Sequence, residues 1–288
     1  MPATATVAKL TAESSRFGEL LRAWRDTRKL SQLELSLRAE MSQRHLSFLE
    51  SGRAQPSREM VLQVAEALEV PLRERNILLR AAGFAPLYRE RALDSVDMAA
   101  VRQALELTLK HHEPFPALVV NRSWGLVMRN EAAGRVLGLL LGDVEQAWAR
   151  IDPSGELNVM RMTLHPDGMQ PLLKNWEQVA PALLARLQRE AAADPANAKL
   201  QALFRDVSAY PGIPSHWRGT GWTAPPMPIL PLEFAVNGQS LKLFSMISTF
   251  GTALDITAEE LRVETFFPAD EPTAQFFRHL ADQLAPLR

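Results

Sequence analysis

The stretch Leu30-Ser-Gln-Leu-Glu-Leu-Ser-Leu-Arg-Ala-Glu-Met-Ser-Gln-Arg-His-Leu-Ser-Phe-Leu-Glu-Ser-Gly-Arg-Ala-Gln-Pro56 decides how the first third of the chain folds. Ser31 and Glu34 make a Ser-x-x-Glu capping box, which satisfies orphan backbone donors and starts a helix. Leu33, Leu35 and Leu37 follow, and Ala39 leads into a turn. Ser42 is set to cap a short helix over 43–50, ended by Gly52. Working outward, Phe17, Leu20, Leu21 and Trp24 recur at helical spacing, so a helix is predicted from Phe17 to about Lys29. Pro56-Ser57 starts a fourth helix with Val61, Leu62, Ala65 and Leu68 on its buried face. Pro71 permits a fifth, whose Ile77, Leu78 and Leu79 close a small core. The reading is an all-α domain of five helices over 15–85, preceded by a loose Ala/Thr-rich arm over 1–14.

Charge sharpens this reading. The whole chain of 288 residues has a net charge of −1, with no nucleic-acid signature. Between Arg16 and Arg58, however, nine basic residues face five acidic ones. A local excess is what matters to a phosphate backbone, because attraction is screened beyond ~10 Å.

The quoted stretch resembles the helix-turn-helix of phage-type (XRE-like) repressors. In such a unit one helix enters a major groove ~12 Å wide, and residues near its N-terminus meet base edges. Here these are Gln43 and Arg44, with Ser47 and Phe48 a turn further on. Gln can pair with adenine, Arg with guanine, and Phe48 can lie on a thymine methyl. The resemblance further implies phosphate contacts from Gln32, Ser42 and Arg53, and double-stranded DNA operator half-sites as the partner. Glu40 departs from the family, which usually has Gly in this turn; a left-handed non-glycine residue costs about 1 kcal/mol.

Residues 86–94 read as a linker: Pro86, then a charge-dense segment before the next cap at Asp94/Ser95. A helix to about His112 follows, stopped by Pro114. Ala117–Asn121 and Leu126–Arg129 read as strands around a tight Arg122-Ser123-Trp124-Gly125 turn, and a helix begins near Asn130. Residues 157–207 are mostly helical, with Leu183, Leu184, Leu187, Leu200, Leu203 and Phe204 as apolar faces; Tyr210–Pro231 is irregular. The period then drops to two. Leu232, Phe234 and Val236 alternate, Asn237-Gly238 supplies a type I′ turn, and Leu241–Thr249 returns. Leu261–Phe267 adds a strand and Thr273–Leu284 a last helix. Strands, helices, then strands again predict an α+β domain with an antiparallel sheet over 95–288.

Within it, His165-Pro-Asp-Gly-Met, Asn175-Trp-Glu, Tyr210-Pro-Gly, Thr249-Phe-Gly-Thr and Glu264-Thr-Phe-Phe-Pro-Ala-Asp-Glu resemble the ligand-binding domain of MmyB-like regulators, a PAS-like sensor fold. Pro56-Ser-Arg-Glu-Met and Ala81-Ala-Gly-Phe-Ala-Pro of the first domain extend the likeness. It implies a sheet-and-helix pocket for a small, largely apolar ligand such as a fatty acid; no cofactor is required, and a homodimer is expected. Met128, Met160, Met162, Trp176, Phe244, Met246, Phe266 and Phe267 offer soft, aromatic lining. Arg122, Arg129, Arg161 and His165 are candidate partners for a carboxylate head. The rival reading makes this domain a dimerisation or partner-docking module without a ligand.

Other classes have less support. No apolar run reaches the ~18 residues of a membrane span, and Met1–Lys9 lacks a basic start and apolar stretch, so a cytoplasmic protein is predicted. There is no Cys, which removes thiolate catalysis and Cys-ligated metal. His111-His112-Glu113 lacks further ligands at metal spacing, and no nucleophile-elbow, zincin or phosphate-loop motif occurs. The prediction is a DNA-binding regulator, not an enzyme.

Overall fold

The computed structural model describes residues 16–152, 155–218, 229–236 and 238–282; the predicted N-terminal arm lies outside them. Two compact units divide the chain. One takes in the described residues up to Ser95 together with Gly251–Glu259, and the other runs from Val96 to Phe250 and resumes at Glu260. A return of the chain to the first unit from far along the sequence was not among the expectations.

The first unit has α1 (residues 16–27), then α2 (Gln32–Arg38), α3 (Gln43–Glu50), α4 (Arg58–Ala67) and α5 (Leu72–Ala81). Phe17, Leu21, Leu35, Leu46, Leu49, Val61, Val64, Leu68, Leu78 and Leu79 share one buried core. Each large aliphatic side chain so buried contributes roughly 1.5–3 kcal/mol. Ser31, Ser42 and Ser57 cap α2, α3 and α4, each side chain accepting from a backbone N–H. The predicted capping box is complete, since the Ser31 N–H also donates to Glu34 at 2.7 Å.

The helix ends follow a common device. Lys29, Glu40 and Glu69 sit at φ 55°, 47° and 49°, in the left-handed region. Each lets the next amide reach back five residues: Leu30 to Arg25, Met41 to Ser36, Val70 to Ala65. Glu40 therefore carries the strain that its departure from glycine implies. Gly18 has a different task. A Cβ there would lie 2.5 Å from the Leu49 carbonyl oxygen and 2.6 Å from that of Glu50, so only glycine lets α1 pass this close to the end of α3.

In the second unit a short 3-10 turn (Val96–Met98) leads into α6 (Ala99–His111), followed by β1 (Ala117–Val120) and β2 (Leu126–Arg129). Next come α7 (Glu131–Leu141), α8 (Val144–Ile151), α9 (Val159–Leu164), α10 (Trp176–Ala193) and α11 (Ala198–Val207). The chain then builds β3 (Leu232–Val236), β4 (Gln239–Ser248), β5 (Arg262–Pro268) and α13 (Glu271–Asp282), with α12 (Ile256–Glu260) between β4 and β5. All five strands pair antiparallel in the order β2-β1-β5-β4-β3. This is the expected α+β layout. Helices α8 and α12 were not separated in the sequence, and α13 begins two residues earlier than predicted.

β1 is buried along its whole length, as its Ala-Leu-Val-Val run implies for a strand covered on both faces. The β1–β2 turn is held by Asn121, whose Oδ1 accepts from the Ser123 and Gly125 amides, both at 2.9 Å. Val236 pairs with Gln239 at the β3–β4 end of the ladder. Gly238 lies at φ 77°, while Asn237 is outside the described residues.

Side-chain alternation defines the two sheet faces. Leu118, Phe234, Leu241, Leu243, Glu264 and Phe266 share one face through their pairings, and α7, α9 and α10 supply its cover. Val119, Met128, Phe244, Met246 and Phe267 share the other.

Candidate DNA interface and ligand cavity

In α3, Leu46, Leu49 and Glu50 are buried. A helix with that inner face must turn its residues 43, 44 and 47 outward. Gln43 and Arg44 are exposed, and Ser47 and Phe48 are half-buried beside them. The Arg44 guanidinium lies over the Phe48 ring, 5.3 Å from its centroid. That contact steadies the arginine without using its N–H groups.

The phosphate candidates differ among themselves. Arg53 is exposed. Ser42 is exposed too, but its oxygen accepts from the His45 amide at 3.2 Å, so only its hydroxyl hydrogen is available outward. Gln32 turns partly inward: its Nε2 donates to Glu50 Oε2 at 2.8 Å. The second amide hydrogen remains, as does the backbone N–H at the first position of α2, which has no intrahelical acceptor.

Glu50 is the residue that sequence reasoning missed. Its side chain is fully buried at the end of α3, and Arg25 of α1 grips it with two N–H groups. Burial pushes the Glu50 carboxyl up, but the hydrogen bonds from Arg25 and Gln32 and the charges of Arg25 and Arg22 outweigh it and hold the group below the usual carboxylate range. The orientation of α3 is thereby tied to α1.

The second unit has an apolar cavity of about 70 Å³ against the first sheet face. Leu118, Phe234, Leu243 and Phe266 floor it, while Ala133 and Leu137 of α7 and Met162 of α9 roof it. Beside it lies a recess rimmed by Arg129, Asp143 and Glu145, and Leu137 and Met162 wall both spaces.

The ligand candidates scatter. Arg122 is bound by Glu260, at 2.7 Å, and by Asp194. Arg161 is held by Asp206 at 2.7 Å, Tyr210 at 3.1 Å and Asp152 at 3.2 Å. His165 stands edge-on to Tyr210, and its Nδ1 accepts from the Asp167 amide. Trp176 donates to the Gly212 carbonyl at 2.8 Å. Met128, Phe244, Met246 and Phe267 lie on the opposite sheet face, where Phe244 and Phe267 stack with centroids 5.5 Å apart and Met246 is 57% exposed.

Only Arg129 borders the recess. Its guanidinium rests over Gly134, where a Cβ would come within 1.7 Å of Nη1. Among the described residues it has no ion-pair or hydrogen-bond partner. Met162 and Phe266, also named as soft lining, reach the cavity; Leu118, Ala133, Leu137, Phe234 and Leu243 were not foreseen.

An all-α unit with an outward Gln-Arg helix, carried on the same chain as an α+β unit with an apolar cavity, is the arrangement of a DNA-binding regulator with a ligand-binding domain. Comparison with known families agrees: residues 21–75 match a helix-turn-helix model, and 101–280 match the MmyB-like transcription regulator ligand binding domain. The chain belongs to the MmyB-like transcription regulators. No curated protein matches it. One solved structure, described as "Structure of an RNA-binding Light-Oxygen-Voltage Receptor", is similar at 12% identity and a TM-score of 0.24, over 98% of this chain and 66% of that one. The chain thus spans just under two thirds of that protein. No helix among the described residues is long and apolar enough to cross a membrane.

Proposed function

We propose that this regulator binds operator half-sites as a homodimer and answers to a small amphiphile with an anionic head, such as a fatty acid. The observation that carries the ligand class is Arg129, a cation without a partner among the described residues, on the rim of the recess beside the apolar cavity. Every other arginine candidate already has its carboxylates. A chain longer than the cavity itself would pass between Leu137 and Met162 into the recess, where the flexible thioether of Met162 can adapt to it. Each methylene taken out of water contributes about 0.8 kcal/mol, and a charge-assisted hydrogen bond to the head about 1.5–3 kcal/mol. Base reading falls to Gln43, Arg44, Ser47 and Phe48, and phosphate contact to Gln32, Ser42 and Arg53. The half-buried Phe244–Phe267 stack and the exposed Met246, on one sheet face, favour a face that pairs with a second copy.

Calorimetric titration with decanoate and decanol tests the ligand class. Wild-type protein is expected to prefer the acid by tenfold or more, and Arg129→Leu to lose that preference while still binding the alcohol. Equal affinity of the wild type for both would remove Arg129 from the role. Native mass spectrometry with no co-purifying small molecule, together with no binding of either probe, would favour the docking-module reading.

A further inference from the structure

Residues Gly251–Glu259 connect two strands of the sheet but belong to the compact unit that reads DNA. Within that unit they are held at several points. The Ile256 amide donates to the Arg89 carbonyl at 2.9 Å, and the Thr257 hydroxyl donates to that of Arg91 at 2.6 Å. Arg91 also donates to Asp255 at 2.9 Å, and Asp255 is itself buried. Ile256 and Ala258 are 3% and 5% exposed, so the segment is packed and not merely adjacent.

The last residue of the segment matters most. α5 starts at Pro71 with no side-chain cap of its own. Its first amide, Leu72 N–H, donates to Glu259 Oε2 at 2.9 Å, across 187 positions of sequence. A carboxylate at a helix N-terminus satisfies an orphan donor and complements the helix dipole. The next residue, Glu260, belongs to the other unit and binds Arg122. Adjacent carboxylates thus anchor the chain in the two units in turn. Upstream and downstream run β4 and β5, whose Leu243 and Phe266 floor the cavity; Phe266 is only seven residues from Glu259.

We infer that Gly251–Glu259 is a transmission strap: a change in β4 or β5 at the cavity reaches the DNA-reading helices through the hold of Glu259 on the first turn of α5. Glu259 is then a positioning residue, touching neither DNA nor ligand. The link to ligand rests on the function proposed above; the mechanical link does not. By reciprocity of coupled sites, release at the α5 end must also be felt in the strands.

Hydrogen exchange on the full chain, without DNA or ligand, tests the mechanical link. Glu259→Ala is expected to speed exchange at least tenfold around Leu72 and at least threefold in the β4 and β5 ends next to the strap. Glu259→Gln, which keeps an acceptor, should stay close to wild type. Thr257→Val, which removes a different tie of the same strap, should speed the strand ends too. Faster exchange confined to α5, with β4 and β5 at wild-type rates, would overturn the strap. The second arm compares affinity for a selected duplex with and without decanoate. Wild type should shift at least fivefold, and Glu259→Ala should shrink that shift to less than twofold with decanoate affinity unchanged. A full shift retained in Glu259→Ala would also overturn the proposal. No response of the wild type to decanoate would count against the ligand reading alone, and the exchange rates would still decide the strap.

Discussion

Arg25 of α1 grips Glu50 at the end of α3 with two near-parallel hydrogen bonds, Nε to Oε1 at 2.6 Å and Nη2 to Oε2 at 3.1 Å. The carboxylate has no solvent contact and the arginine little. Removing one partner of such a buried pair leaves an uncompensated charge, at a cost of roughly 3–5 kcal/mol. Glu50→Ala is therefore expected to lower the unfolding free energy of the N-terminal unit by about 3 kcal/mol, read by urea denaturation. The pH dependence has a definite sign. The folded Glu50 carboxyl is held below its unfolded value of about 4.3, so its contribution is complete above that pH and disappears as pH falls through the folded value. Wild type should lose stability on acidification below about pH 4 more steeply than Glu50→Gln. Parallel slopes for the two proteins would contradict the pair's role.

Gly18 makes the same junction possible from the other side. With the Leu49 and Glu50 carbonyl oxygens 2.5 and 2.6 Å from any added Cβ, backbone would have to give way. Gly18→Ala should destabilise the unit by about 1–3 kcal/mol and weaken DNA binding beyond what unfolding explains, because α3 is displaced. A normal affinity in anisotropy titrations, at a temperature where the variant is fully folded, would mean that α1 does not set the reading helix.

How much of this was legible in the sequence depends on how local each signal is. Caps are local: Ser31, Ser42, Ser57 and Asn130 fall where the sequence predicts. Strands were legible through their period, but which face is the inner one was not. Leu243 and Phe244 are neighbours of similar hydrophobicity, and only the pairing with β5 and the covering helices puts Leu243 in the cavity. Arginines fared the same way. Arg122 and Arg129 look alike in sequence, because the acids that bind Arg122 are at positions 194 and 260. The strap was invisible for the same reason, its partners being Leu72, Arg89 and Arg91.

Glu40 at φ 47° allows a test of the turn between α2 and α3. Glycine relieves the Cβ clash, worth about 1–2 kcal/mol, and gives back about 0.5–1 kcal/mol in unfolded-chain entropy. Glu40→Gly should raise stability by up to about 1 kcal/mol, seen as a melting temperature a few degrees higher, with base discrimination unchanged. A lower melting temperature would mean that the Glu40 side chain makes a contribution larger than its strain.

Arg44 and Arg53 are both exposed, yet they should fail differently. Arg44 is near the N-terminus of α3 and braced on Phe48, the position to which base reading is assigned in the proposed function. Arg44→Ala should weaken binding to a selected duplex by about 1–3 kcal/mol and leave random DNA nearly untouched. Arg53→Ala should weaken both equally and reduce the salt slope by about one. Anisotropy titrations over a salt series check both. An Arg44 variant with full discrimination would move base reading to other residues of the helix.

Glu264 supplies the last prediction and the opposite sign. It sits on β5, the central strand, facing α10, with the Ser245 hydroxyl as a hydrogen-bond partner and Arg186 and Glu190 near by. Burial pushes its carboxyl up; the Ser245 bond and the Arg186 charge offset only part of that, and Glu190 adds to it. A raised folded value means that the native state holds the proton after the unfolded chain has released it. Stability must then fall as pH rises from about 4.3 through the folded value. Glu264→Gln keeps the neutral shape and an acceptor but cannot ionise, so it lacks this loss. The two proteins should melt alike near pH 4, and the variant should melt higher at and above the folded value. Because Glu50 titrates in both, the difference between them isolates Glu264. A difference in melting temperature that stays constant from pH 4 to pH 9 would mean that the buried carboxyl keeps one charge state throughout.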